Sequence, residues 1–176
     1  MALLLPPLGY PRLKTTSPAP IRLRTFTRLV ATLAPPSRRH EVDWVEATSS
    51  FFQKDTRPIM LFDGVCNLCN GGVKFVRDND HRRRIRFEAL QSDSGKKLLQ
   101  RAGRAPDDIS SVVLVEKNKS YIKSEAVLKI MEYLDLPFPP LASFLKLVPL
   151  FLRDFAYDGV ANNRYNIFGY SDSCEL

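Results

Sequence analysis

The chain has 176 residues, 44% hydrophobic and 26% charged, proportions of a soluble globular protein that exclude a disordered polymer and a membrane bundle. Its net charge of +7 points to a polyanion until it is divided along the chain. Residues 1–40 hold seven basic residues and no Asp or Glu, leaving 19 basic against 19 acidic beyond them, so overall charge gives no attraction to nucleic acid.

Those first 40 residues also carry seven of the 13 prolines and seven Ser or Thr. The apolar run from Met1 to Leu5 stops at Pro6-Pro7, too short for a secretory signal or a bilayer span. An acid-free segment rich in Arg and hydroxyl residues matches an organelle transit peptide, so residues 1–46 are expected to be a transit peptide or disordered leader. The Met1-Ala2 start, the prolines and the Thr-rich stretch favour the chloroplast. The Arg-studded segment 21–33, suited to an amphipathic helix, makes mitochondrion the alternative.

From residue 57 the pattern becomes that of an α/β domain. Ile59 to Phe62 is an apolar run ended by Asp63-Gly64, a buried strand entering a tight turn. A helix follows from Cys66 to about Asn79, with Cys69, Val73 and Val76 on one stripe that Leu68 and Phe75 widen. Residues 85–90 alternate like a half-buried strand, and Ser92 or Asp93 caps a helix from about Ser94 to Ala102, stopped by Gly103. Val112 to Val115 and Tyr121-Ile122 read as two more strands. Ser124 to Leu134 reads as a helix with Val127, Ile130, Met131 and Leu134 inward. The order β-α-β-α-β-β-α, with a helix opening directly after the first strand, is that of a thioredoxin-like core over residues 57–136. Residues 137–176 are expected to be a C-terminal helical extension packed on it. The apolar run 141–155 is broken by Lys146, Pro149, Arg153 and Asp154, so no membrane span is expected; a helical hairpin is the plain reading and an interfacial membrane helix the sharper one.

Only three cysteines occur, Cys66, Cys69 and Cys174, too few for a disulfide scaffold. A Cys-x-x-Cys at a helix mouth has a physical reason to react. The first sulfur lies by the free N–H groups of the first turn, and the second lies one turn on. Attack by Cys66 on a substrate disulfide gives a mixed disulfide that Cys69 resolves. Two other readings compete: a zinc site assembled from Cys66, Cys69, Cys174 and His81, and a pair of inert buried thiols in an interaction domain.

The segment Asp63-Gly64-Val65-Cys66-Asn67-Leu68-Cys69 resembles the signature of the DCC family, thioredoxin-like thiol-disulfide oxidoreductases named for an Asp-Cys-Cys pattern. Val73-Lys74-Phe75-Val76, Phe87, Tyr121 with Lys123-Ser124-Glu125-Ala126, Pro149, Arg153-Asp154 with Tyr157, Asn163-Arg164-Tyr165 with Phe168-Gly169 and Asp172-Ser173-Cys174 are similar to its later landmarks. The likeness runs over residues 57–176 and is strongest to the organelle-targeted plant branch. It implies Cys66 and Cys69 as the redox pair and Asp63 as the motif acid.

Charge alone makes Asp63 an awkward neighbour, because a carboxylate three residues before Cys66 opposes a thiolate. Its expected role is either to take the proton of Cys69 during resolution or to bond the N–H groups of Val65 or Cys66 as a turn residue. Thioredoxins carry a cis-proline before the third core strand. Here Ser110-Ser111 precede Val112, which argues against a broad substrate groove and keeps the zinc reading open. Arg153 with Asp154 and Arg164 with Tyr165 are expected to hold the extension. The run His81-Arg82-Arg83-Arg84 is read as a solvated loop end, not a nucleic-acid patch. Together these features predict an organelle-imported oxidoreductase that exchanges electrons through Cys66 and Cys69. The expected partners are a protein disulfide substrate or a thiol reductant, with Asp63 assisting and no bound cofactor; metal binding or a non-catalytic interaction domain are the alternatives.

Overall fold

The computed structural model describes residues 42–172 and Cys174. The expected leader therefore lies almost wholly outside the described residues. The elements are α1 (Trp44–Ala47), a 3-10 turn (Ser49–Phe52), β1 (Ile59–Phe62), α2 (Asn67–Asn79), β2 (Arg86–Ala89), α3 (Asp93–Arg101), β3 (Val113–Val115), β4 (Ser120–Ile122), α4 (Lys123–Tyr133), α5 (Phe138–Leu145) and α6 (Leu150–Phe168).

The sheet runs β2-β1-β3-β4. β1 pairs parallel with β2, Ile59 opposite Arg86, and antiparallel with β3, Met60 opposite Leu114; β3 pairs antiparallel with β4. A central strand covered on both faces is apolar at every position, and all four residues of β1 are buried. Alternation along it divides the core in two. Met60 and Phe62 meet Val73 and Val76 of α2 and Ala126 and Ile130 of α4. Ile59 and Leu61 meet Phe52, Leu90 and the Leu98-Leu99 pair of α3. This is the thioredoxin-like arrangement that the order of elements predicts.

Two expectations of facing are corrected. Val127 is 37% exposed, while Ala126, Ile130 and Leu134 line up at intervals of four against the sheet. The small Ala126 lets α4 lie close to the strands, and its opposite flank packs on α5 and α6. Phe75 is 47% exposed and meets Phe138 edge-on at 5.3 Å, so it serves the extension and not the stripe under α2.

Local signals account for the ends of these helices. Ser92 Oγ accepts the Gly95 N–H at 2.8 Å, capping α3, and Gly103 leaves it at φ 74°. Pro139 and Pro140 fall in the first turn of α5, where a missing N–H costs nothing. The residues before β2 are tied inward. His81 and Arg84 both bond Asp135, at 2.8 and 2.7 Å, and Arg86 donates to the carbonyls of Phe51, Asp55 and Arg57. Much of the basic run is thereby committed to the protein's own chain. Among the described residues, no helix is long and apolar enough to cross a membrane.

Candidate active site

The site forms where β1 hands over to α2. Asp63 Oδ1 accepts the Val65 N–H at 3.2 Å and Asp63 O the Cys66 N–H at 3.3 Å, a tight turn held by the Asp side chain. Gln91 Oε1 accepts the Gly64 N–H at 3.2 Å, and Asn70 Nδ2 donates to Gly64 O at 3.0 Å. The turn delivers Cys66 to the N-cap of α2, where its sulfur accepts the Cys69 N–H at 3.4 Å. A sulfur in this position meets the positive end of the helix dipole, the feature expected of a reactive first cysteine.

Access to the two cysteines is the reverse of the sequence expectation. Cys66 is 0% exposed. Gly169, at φ 75°, ends α6 and turns the chain back across the Cys-x-x-Cys segment. There Gly169 O accepts the Asn67 N–H at 3.4 Å, Ser171 N donates to Val65 O at 2.9 Å, and Tyr170 bridges Cys66 in antiparallel sense. Asn67 Nδ2 locks this strap by donating to Phe168 O and Tyr170 O, both at 2.9 Å. Cys69 is partly exposed and lines a cavity of about 100 Å³ with Leu68, Ser111 and α6 residues. Burial first, then contact with the Cys66 sulfur and the charge of Asp63, push the Cys69 thiol up to about 12; Arg164 opposes this.

Asp63 is buried, and neither oxygen is idle. Oδ1 accepts from Val65 N and from Gln91 Nε2 at 2.7 Å; Oδ2 accepts from Arg164 Nη2 at 3.2 Å and from the Tyr165 hydroxyl. Arg164 also donates to Ile109 O and Ala161 O at 2.9 Å and lies 4.5 Å from the Tyr165 ring centroid, which stacks on Tyr170 at 4.6 Å. Burial, then its bond to Asp63, push the Tyr165 hydroxyl up to about 12, so it stays a donor at neutral pH. At the position where thioredoxins carry cis-proline stands Ser111, and the next N–H, of Val112, donates to the Tyr157 hydroxyl at 2.9 Å.

Ligand atoms of Asp63, Cys66 and Cys69 lie within 4.8 Å of one another, the one such group among the described residues. The arrangement suits a metal poorly. Four hydrogen bonds occupy the lone pairs of Asp63, and the Arg164 guanidinium beside it repels a cation. The four-ligand zinc set of the competing reading, Cys66, Cys69, Cys174 and His81, is not assembled. His81 sits beyond the far end of α2, roughly 20 Å along the helix from Cys66, bonded to Asp135. Cys174 is exposed, on the Gly64 side of the turn, and stands outside the group.

Arg164 and Tyr165, expected to hold the extension, do so by gripping Asp63. The roles of Gln91, Asn67 and Asn70 are not legible in the sequence. Their contacts span up to 103 positions, and no local pattern announces them.

Comparison with known proteins agrees with this geometry. Residues 60–170 match the family described as DCC1-like thiol-disulfide oxidoreductase. Over the full length of both chains the protein is 67% identical to a chloroplastic DCC family protein of Arabidopsis thaliana. It is 41% identical over 118 residues to the uncharacterized protein YuxK of Bacillus subtilis, covering 67% of this chain and 85% of that one. No solved structure matches it. With its cysteine pair at the mouth of the first core helix and its matches running past the Gly169 turn, the chain belongs to the DCC family of thioredoxin-like proteins.

Proposed function

We propose that the protein exchanges electrons between Cys66-Cys69 and thiols or disulfides of partner proteins in the chloroplast, after import directed by a transit peptide within residues 1–46. The observation that carries this reading is the pair itself, two sulfurs within 4.8 Å, one capping α2 and the other facing a cavity. The name of the Arabidopsis relative and the acid-free leader support the compartment.

The difference in exposure of the two sulfurs supports an order of events. Cys69 meets the partner, and Cys66, sealed under the strap, is the internal sulfur. In the reducing direction the Cys69 sulfur attacks one sulfur of the partner disulfide, and the other leaves as a thiolate. The Cys69 proton passes to the Cys66 sulfur beside it and from there to the departing thiolate. Cys66 then attacks the Cys69 sulfur, closing Cys66–Cys69 and releasing the second partner thiol. Two electrons have moved to the partner, and the oxidising direction is the same path reversed. Asp63 is a positioning residue in this scheme, because four bonds to its ionised form leave no lone pair for a general base.

Mixed-disulfide trapping tests the scheme. Cys66→Ser is expected to accumulate a partner on Cys69, and Cys69→Ser to trap none. Trapping by Cys69→Ser alone would restore Cys66 as the attacking group. No trapping by either, with insulin reduction equal to that of the double variant, would end the redox reading. A fluorescent fusion of residues 1–50 is expected in chloroplasts; a cytosolic signal would remove the leader.

A further inference from the structure

The cavity beside Cys69 lies between the end of β1, the first turn of α2, the segment before β3, and α6. Leu68, Ile109, Val112, Val160, Ala161 and the Tyr157 ring give it an apolar wall. The polar atoms Ser111 Oγ and Arg164 Nε are buried behind this wall, so the space open beside Cys69 is lined by carbon and complements an aliphatic side chain. Volume sets the size: a cavity of roughly 150 Å³ admits benzene, so about 100 Å³ takes a side chain of three or four carbons. A carboxylate does not suit it, since the positive charge of Arg164 already faces Asp63.

We propose that this cavity selects the substrate. It seats a Val-, Ile- or Leu-sized side chain next to the substrate's disulfide cysteine. The substrate class is therefore disulfides flanked by an aliphatic residue, a narrower set than an open thioredoxin groove accepts. The selection rests on the redox reading above, with Cys69 as the attacking sulfur. In the assay that follows, the Cys69 sulfur bonds the peptide sulfur and 5-thio-2-nitrobenzoate leaves as its thiolate. Cys66 then closes the internal disulfide and frees the peptide thiol.

The experiment uses the reduced full chain and mixed disulfides of 5-thio-2-nitrobenzoate with acetyl-X-Cys-amide peptides, X being Leu, Gly or Asp. Second-order rate constants for release of the coloured thiolate are divided by those measured with dithiothreitol, which removes intrinsic differences among the peptides. The Leu peptide is expected to react at least about tenfold faster than the Gly peptide, the scale on which pockets read a few methylenes, and the Asp peptide slowest. Ala161→Leu, which fills the cavity, is expected to bring the Leu-to-Gly ratio near one. A ratio within twofold in the unaltered protein would overturn the selection, whatever becomes of the variants. Release from every peptide no faster than that of the Cys66→Ser, Cys69→Ser double variant would overturn the exchange reading instead.

Discussion

Replacing Asp63 by Asn keeps the shape of the side chain and removes its charge. In the native protein that charge faces Arg164 at 3.2 Å, and both side chains are at least nine-tenths buried. Breaking one side of a buried pair leaves an uncompensated charge, which typically costs about 3–5 kcal/mol. Arg164 retains its bonds to the carbonyls of Ile109 and Ala161, so the low end applies, about 3 kcal/mol. For a domain of this size that is a fall in Tm of roughly 6–12 °C, and a large part of the roughly 5–15 kcal/mol that holds a domain folded. Urea unfolding followed by circular dichroism reads the loss directly. The same substitution removes one of the causes that raise the Cys69 thiol, so iodoacetamide should label Cys69 faster in the folded variant. A stability loss below about 1 kcal/mol, the value of a neutral hydrogen bond, would refute the claim that Asp63 balances Arg164.

Asn67→Ala deletes two side-chain bonds to the strap, each worth about 1 kcal/mol, and is expected to raise iodoacetamide labelling of Cys66 by tenfold or more, read by peptide mass spectrometry; unchanged labelling would mean that the strap does not guard Cys66. Because the Cys69 thiol is raised from 9.0 to about 12, its labelling should keep climbing about tenfold per pH unit beyond pH 9, where an ordinary thiol levels off. The folded state then binds a proton that the unfolded state has lost, so this thiol's contribution to stability is whole below pH 9 and disappears between pH 9 and about 12. Gly95→Ala would gain about 1 kcal/mol of helix propensity. Its Cβ would stand 2.1 Å from Ala89 O, however, so the expected outcome in urea is a net loss above about 2 kcal/mol.

The core was legible because its signals are local and repeat. Four apolar residues before Asp63-Gly64 give β1, a Ser before a helical period gives the cap of α3, and a glycine after it gives the stop. Facing was less legible where two surfaces compete for one helix, as on α4, whose Ala126 and Leu128 flanks are both buried. The cysteine pair could be read from its spacing, but which sulfur meets solvent could not. That is decided by Gly169–Ser171, about 100 positions away, crossing over Cys66. The difficulty raised by Asp63 has the same origin, since its balancing charge lies 101 residues downstream in α6.

The extension is therefore part of the site and not an ornament on a finished core. Its α6 supplies the cation and hydroxyl that hold Asp63, the Tyr157 hydroxyl that engages Val112, and one wall of the cavity. Its end supplies the cover over Cys66. Asp63 raises the Cys69 thiol and Arg164 lowers it, so the two long-range partners set opposing limits on the same proton. A core without α6 would keep the carboxylate and lose the guanidinium. Its cysteines would then face an unopposed negative charge, in the one arrangement that the spacing of Asp63 and Cys66 makes unfavourable for thiol exchange.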